Sequence, residues 1–183
     1  MKKITVFAFF CVAMLLAPRG VRAKEWRGIV PLRSTRADVE RVLGAPATDR
    51  LTGSCRCVYQ LKDEIVHVVY ASGRSCAELQ SHEPKSDEWN VPFDTVIEMI
   101  VSFKKDQPLS EFKIDEKYKE EIDGHAPGLV FYTNREDGIR LEGGKLSVSS
   151  VSYFPAAKYN YLHCPKKIEK SVDPCKSSAE SRQ

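Results

Sequence analysis

The sequence predicts an α+β domain in which hairpins build an antiparallel β-sheet meander and one or two short helices pack on one face of the sheet. Three patterns lead to this prediction. They are a short amphipathic helix with capping residues at both ends, two pairs of strand-like segments joined by polar turns, and two longer segments with alternating apolar residues. Antiparallel strands accompanied by few helices are typical of the α+β class.

The predicted helix covers residues 36–43. Thr35 is the type of residue expected at an N-cap, and Asp38 stands three residues later, where a carboxylate completes a capping box. Gly44 is expected to end the helix in a left-handed conformation, and Pro46 follows it. The apolar residues of the segment share one helical face: Val39, Val42 and Leu43.

Two hairpins are predicted from paired segments rich in β-branched and aromatic residues. The first joins residues 57–61 to 64–70 through Lys62-Asp63. The second joins residues 129–134 to 138–141 through Arg135-Glu136-Asp137. Short polar connections of this kind favour antiparallel neighbours, so each pair is expected to form two adjacent strands.

Two further strands are expected at residues 95–103 and 146–154. In the first, Glu98 and Ser102 are predicted to point away from the apolar face, which consists of Ile97, Met99, Val101 and Phe103. In the second, the alternation shifts at Ser149-Ser150, which predicts a β-bulge. Residues 112–122 are highly charged and fit either a helix or an irregular strand.

Residues 1–23 have the three zones of a cleavable signal peptide. Lys2 and Lys3 form a basic start, residues 4–17 are almost wholly apolar, and Val21-Arg22-Ala23 supplies small residues before a cleavage point. The apolar zone is shorter than the roughly 20 residues that a membrane-spanning helix needs. We therefore expect an exported protein, periplasmic or extracellular, with no transmembrane segment after cleavage.

The remainder is predicted to form a single α+β domain at 24–164, followed by a flexible polar tail at 165–183. A hairpin followed by a strand occurs twice in the domain, so two repeats, about 24–105 and 106–164, remain an alternative to an undivided sheet. A long polar loop is expected at 71–90.

The charge of the chain argues against nucleic acid as a partner. The whole sequence has 28 Lys and Arg against 25 Asp and Glu, and four of the basic residues and none of the acidic ones belong to the signal peptide. The exported part is therefore nearly neutral, whereas a nucleic-acid-binding domain usually has a strong basic excess.

Cysteines outside the signal peptide are expected to form disulfides in an oxidising compartment. The candidates are Cys55, Cys57, Cys76, Cys164 and Cys175. Neighbours on one strand do not reach disulfide geometry easily, so we expect one of Cys55 and Cys57 to pair with Cys76. Cys164 then pairs with Cys175 or with the remaining member of that pair.

The sequence offers no metal site, no catalytic site and no cofactor motif. Cys55, Cys57, His67 and Cys76 are the best set of metal donors, but their spacing lacks the paired knuckles of a structural zinc site. None of the four histidines stands in a recognised hydrolase, zincin or phosphate-loop pattern. We therefore expect a protein without catalytic residues, metal or cofactor.

The predicted helix carries a resemblance to known envelope proteins. The pattern is Pro31-Leu32-x-Ser34-Thr35-Arg36-x-x-Val39-x-x-x-Leu43-Gly44-x-Pro46. It resembles the opening of small α+β domains found in SmpA/OmlA-type outer-membrane-assembly lipoproteins and in β-lactamase inhibitory proteins. Residues 26–32 and 153–156 also resemble the ends of exported bacterial proteins without an assigned role. The resemblance implies an α+β fold and a range of roles from assembly scaffold to enzyme inhibitor.

Together these features predict an exported, non-catalytic module that binds another envelope or secreted protein. Aromatic residues are the usual anchors of such interfaces, and the candidates are Trp26, Trp89, Tyr153 and Tyr159. The alternative is a secreted enzyme that uses an unpaired cysteine and carries no recognisable motif.

Overall fold

The computed structural model describes residues 24–48, 56–73, 76, 89–124, 126 and 128–164. The predicted signal peptide, the predicted tail, Cys55, Cys175 and most of the 71–90 loop lie outside these residues. Within the described part of the chain, no helix is both long and apolar enough to cross a membrane.

The helix α1 spans Arg36–Leu43 and begins as the sequence predicts. The Thr35 side chain accepts a hydrogen bond from the Asp38 backbone N–H at 3.3 Å, and the Asp38 carboxylate accepts one from the Thr35 N–H at 2.9 Å. This capping box satisfies two backbone donors that would otherwise lack partners. At the other end, Gly44 has a φ of 83° as expected, but its ψ of −168° is not left-handed helical.

Seven strands form one antiparallel sheet, which confirms a mostly β, α+β fold. The strands are β1 Arg56–Gln60, β2 Glu64–Tyr70, β3 Val96–Pro108, β4 Lys119–Ile122, β5 Val130–Asn134, β6 Ile139–Gly143 and β7 Ser147–Tyr153. In the part of the chain that the structure describes, a first 3-10 helix occurs at Leu109–Glu111 and a second at Ala157–Leu162. Both predicted hairpins are present, as β1 with β2 and as β5 with β6.

The strand order is β1-β2-β3-β7-β6-β5-β4, so β3 pairs with β7 and not with the next strand along the chain. The sheet thus consists of two runs of consecutive strands whose last members, β3 and β7, meet at the centre. Both runs keep hairpin neighbours adjacent, which is the commonest connection. The ambiguous segment at 112–122 ends in the edge strand β4, whose residues are all exposed.

Within the described residues, the strand pairs of the sheet contain three register shifts, of which one lies between β3 and β7, after Ser102, and the other two bear on the sequence predictions. Glu142 pairs with Ser150 while Gly143 pairs with Val148, so Ser149 is the extra residue and the predicted bulge is confirmed. In β3, Val69 pairs with Glu98 but Tyr70 pairs with Val96. Here the sequence prediction was wrong, because this shift places Val96 in the core and takes Ile97 off the face that Met99 occupies.

The core lies on one face of the sheet in two clusters. The first gathers residues of α1, β1, β2 and β3, including Val39, Cys57, Val66 and Met99. The second gathers Ile139, Leu141, Val148 and Val151. Phe103 and Tyr153 contact both clusters and make them continuous. Burial raises the pKa of Tyr153 to about 12, so this phenol stays neutral at physiological pH.

The turn between β5 and β6 contacts both the segment that follows β7 and the first described residue, Lys24. The Asn134 side-chain oxygen accepts a hydrogen bond from the Asp137 N–H at 3.1 Å, and the Asp137 carbonyl accepts one from the Lys24 N–H at 3.0 Å. Gly138 has a φ of 69°, and a Cβ at this position would collide with the Phe154 carbonyl oxygen. Only glycine therefore lets this turn approach the chain after β7 so closely.

We expect Gly138→Ala to destabilise the protein more than Gly28→Ala. Both glycines have positive φ, but nothing lies within 4 Å of a Cβ at Gly28. The conformational penalty alone is about 1–2 kcal/mol, and the backbone collision at Gly138 adds roughly 1–3 kcal/mol. Urea unfolding of the two variants measures the difference. Equal free energies of unfolding would contradict the close approach.

Candidate functional site

A cavity of about 650 Å³ opens on the sheet face opposite the core. We call it the Trp89 cavity, and its lining residues are Val69, Trp89, Ile97, Glu98, Arg135, Phe154, Pro155, Ala157, Asn160 and His163. They come from β2, β3, the β5–β6 turn and the segments that surround the second 3-10 helix. Its volume falls in the range of about 300–1,000 Å³ that is usual for binding pockets.

The floor of the cavity depends on the bulge in β3. Ile97 and Glu98 are consecutive, yet both line the cavity together with Val69 of β2. Regular alternation sends consecutive side chains to opposite faces of a sheet. The register shift between Tyr70–Val96 and Val69–Glu98 relaxes that alternation, and bulges commonly redirect a side chain in this way.

One wall is built by two distant segments that meet beside the 3-10 helix. Trp89 and His163 form a β-bridge, and the Asn90 N–H donates to the Leu162 carbonyl at 2.8 Å. The rings of Trp89 and His163 meet edge to face, with centroids 4.9 Å apart. A disulfide joins Cys164 to Cys76, with their Cα atoms 5.2 Å apart. This wall is therefore held by backbone, ring and covalent contacts.

The opposite wall is held by the β5–β6 turn. The Ala157 N–H donates to the Arg135 carbonyl at 2.9 Å, and the Phe154 N–H donates to the Gly138 carbonyl at 2.9 Å. These bonds place Phe154 and Ala157 beside the exposed Arg135 side chain at the rim. The arrangement gives an aromatic and aliphatic interior with polar groups at defined positions.

Glu98 is the acidic residue of the cavity. Burial raises the pKa of its carboxyl above the ordinary value, although the positive charges of Arg56 and Arg140 act in the opposite direction. Among the described residues, Glu98 forms no hydrogen bond and no salt bridge. A partly desolvated carboxylate that makes no direct contact with a positive group is energetically unfavourable, so a ligand with a positive group could gain binding free energy at this point.

The four predicted anchor residues have different surroundings. Trp89 lines the cavity. Trp26 packs against the first core cluster and has the Arg27 guanidinium 4.5 Å from its ring centroid. Tyr153 contacts both core clusters. Tyr159 lies in the second 3-10 helix, with the Lys158 ammonium 5.0 Å from its ring centroid. Their role as binding anchors stays a prediction.

The cysteines pair differently from the sequence expectation. A disulfide is confirmed, but it joins Cys76 to Cys164, a pairing that the sequence reasoning did not consider. Cys57 remains a buried thiol on the core face of β1. The reason is topological, because the bridge between Trp89 and His163 brings the chain beyond residue 76 back to Cys164, whereas Cys57 faces the core.

His67 points to the face of the sheet opposite Cys57, because it pairs with Val58, the residue that follows Cys57 on β1. Its neighbours across the sheet are Val58 and Ile100, and its buried Nδ1 has no hydrogen-bond partner. Burial lowers the pKa of the imidazole, and the Arg56 charge lowers it further. In the described part of the chain, no three His, Cys, Asp or Glu side chains converge on a point that would hold a metal ion.

Sequence reasoning missed most of the cavity. It placed Glu98 on the face opposite Met99 and Val101 but predicted no site there, treated Arg135 as a turn residue and gave no role to Phe154 or Asn160. A usable signal was present at Glu98, because a lone carboxylate inside an otherwise apolar strand breaks the local pattern, and such breaks concentrate at functional or strained sites. The remaining lining residues come together only through the tertiary fold.

Comparison with protein-family models, with curated proteins and with solved structures gives no match to this chain. The function must therefore be inferred from the site itself.

We expect the double substitution Cys76→Ser and Cys164→Ser to weaken both the fold and the cavity wall. The bond spans 88 residues, and loss of a disulfide that closes so long a loop costs about 2–5 kcal/mol. Urea unfolding measures the loss, and a red shift of tryptophan emission reports the loosened Trp89 contact. Wild-type protein treated with a reductant should approach the unfolding midpoint of the variant. An unchanged midpoint would show that the bond does not hold the wall.

We expect Glu98 to make stability depend on pH. Because the folded-state pKa of this carboxyl is raised, its protonated form is stable in the fold, and stability falls as pH rises through that pKa. Arg56 and Arg140 reduce the effect, and Arg135 and His163 face the same cavity. Glu98→Gln removes the acid while leaving these groups in place.

The measurement is urea unfolding of wild type and Glu98→Gln across acidic and neutral pH. The variant should gain relative stability toward neutral pH, by up to about 1 kcal/mol because solvent reaches part of the carboxylate. Subtracting one protein from the other cancels the contributions of all other titrating groups. A difference that stays constant with pH would contradict the assignment.

Proposed function

We propose that this protein is an exported, non-catalytic module that binds another envelope or secreted protein through the sheet face bearing the Trp89 cavity. In this proposal α1 packs on the core face and leaves the opposite face for the partner. The observation that carries it is the cavity itself, in which Trp89 and Phe154 line the same space as Glu98, a carboxylate with no hydrogen bond or salt bridge to the described residues. Aromatic pockets with a few polar groups are typical of sites that recognise a partner's side chain.

The disulfide supports the exported part of the proposal. Disulfides form and persist in oxidising compartments such as the periplasm and the extracellular space. The bond between Cys76 and Cys164 also fixes one wall of the cavity, through the neighbouring His163. The cavity wall is therefore fully held only in an oxidising compartment, where this disulfide can form.

The burial of Cys57 favours a binding role over the thiol-enzyme alternative. Its side chain is 0% exposed and belongs to the first core cluster. A nucleophilic cysteine needs access to substrate and surroundings that stabilise its thiolate, whereas buried cysteines in apolar surroundings are inert. The cavity has no cysteine among its lining residues.

The proposal is tested by filling the cavity from its exposed rim. Ala157 lines the cavity and is exposed, and its neighbour Lys158 is exposed without lining it. Ala157→Trp should block the cavity without disturbing the core, and Lys158→Trp adds the same side chain beside it. The immobilised wild type and both variants are incubated with native envelope extract, and bound proteins are quantified by mass spectrometry.

We expect a protein captured by wild type and by Lys158→Trp to be reduced at least about tenfold with Ala157→Trp, which corresponds to about 1.4 kcal/mol of lost binding free energy. Thermal unfolding checks that both variants fold. Capture that is equal for the two variants would refute binding through this cavity. Absence of any captured protein together with hydrolytic activity in a general substrate screen would refute the non-catalytic module.

A further inference from the structure

The carboxylate of Glu98 has two arginines, Arg56 and Arg140, close enough to act on it through their charge, but it is held by no direct contact in the described part of the chain. It lines the Trp89 cavity, its burial raises the pKa of the acid, and it forms no hydrogen bond or salt bridge with the described residues. Polar groups that leave water without a compensating partner cost free energy. A ligand that supplies a positive charge and a hydrogen-bond donor would recover part of that cost.

Neither Arg56 nor Arg140 forms a salt bridge with Glu98 in the described part of the chain, although both act on it through their charge. Arg140 is committed to β5, where its Nε donates to the Thr133 hydroxyl at 3.2 Å and its guanidinium lies 5.7 Å from the centroid of the Phe131 ring. Arg56 and Arg140 lower the pKa of Glu98, but the desolvation that raises it is the larger effect. The negative charge therefore stays incompletely balanced.

The residues that line the cavity around Glu98 indicate what kind of chain the ligand carries behind its charged group. Val69, Ile97 and Phe154 offer apolar surface, and Trp89 adds an aromatic ring. Aromatic rings attract cations through their negative faces, and long basic side chains bury an aliphatic stem while presenting a charged head. The apolar lining can contact the aliphatic stem of a lysine or arginine side chain, and the Glu98 carboxylate can contact its charged head.

We propose that the Trp89 cavity receives a lysine or arginine side chain of a partner protein, with the cationic head on Glu98 and the stem against Ile97, Phe154 and Trp89. This inference rests on the proposed function, because it names the chemistry of the residue that the same cavity recognises. An anionic ligand fits less well, since Arg135 lies exposed at the rim, where solvent and salt screen its charge.

The test is a nuclear magnetic resonance titration of the full chain with its disulfide intact. The probes are four end-capped glycine-serine pentapeptides that differ only in the central residue, which is Lys, Arg, Met or Glu. The chain has two tryptophans, so Trp26→Phe assigns the indole signal of Trp89. The Lys and Arg peptides should shift this signal in a saturable way, and the Met and Glu peptides should not.

Two substitutions separate the buried charge from general electrostatics. Glu98→Gln keeps the shape of the side chain and should weaken Lys and Arg binding at least about tenfold. Glu142→Gln removes the same charge on β6, outside the cavity, where Glu142 accepts a hydrogen bond from Ser150 at 3.2 Å. It should change the dissociation constant by less than about twofold, because a charge outside the cavity acts on the ligand only at a distance, where salt screens it.

Three results would overturn the inference: binding of the Met peptide equal to that of the Lys peptide, preference for the Glu peptide, or Lys binding that Glu98→Gln leaves unchanged.

The capture experiment distinguishes failure of this inference from failure of the proposed function. If Ala157→Trp loses the partner while Glu98→Gln retains it, the binding module stands and the basic side chain is refuted. If both variants retain the partner, binding through the cavity fails as well.

Discussion

The pairing of β3 with β7 holds the two runs of the sheet together, and the cavity lies at one end of this pair. Met99 stands opposite Tyr153 and Val101 opposite Val151, so the same contact joins the backbones and merges the two core clusters. These partners are about fifty residues apart in the chain, and bringing them together costs loop entropy that local hairpins do not. The hairpins can form first, but the cavity exists only once β3 and β7 have met.

One face of β3 packs into the core and the other lines the cavity, so neighbouring residues of this strand have to point in particular directions. Val96, Met99 and Val101 are fully buried in the core, while Ile97 and Glu98 line the cavity. The bulge makes both arrangements possible, because it adds one residue between the pairs Tyr70–Val96 and Val69–Glu98. With Met99 in the core, a perfectly regular strand would have placed Ile97 on the core face and Val96 on the cavity face, so both residues would have been on the wrong side. The irregularity is thus what allows a packed core and an acidic cavity to share one strand.

The sequence predicts what depends on neighbours along the chain. The capping box of Thr35 and Asp38, both hairpins and the bulge at Ser149 follow from local patterns, and all are present. The disulfide partner of Cys76, the face of Ile97 and the cavity itself depend on contacts between distant segments. Spacing along the chain carries little information about these contacts, because loop closure penalties change slowly with loop length. The hydrophobic alternation at 95–103 was misleading because Val96, Ile97 and Ile100 are apolar whichever face they take, so no polar residue marks this bulge as the serines mark the one at Ser149.

The contacts that hold the cavity walls in place affect the affinity with which the cavity can bind a ligand. Its floor belongs to paired strands, one wall is tied by the Cys76–Cys164 disulfide, and the other is fixed by the Gly138 turn. A site held in place on three sides requires little ordering when a ligand enters, and ordering is a major cost of association. Burial already removes part of the water around Glu98 in the free protein. In the proposed complex a basic side chain has less water to displace from this carboxylate, so we expect more of the electrostatic attraction to appear as affinity.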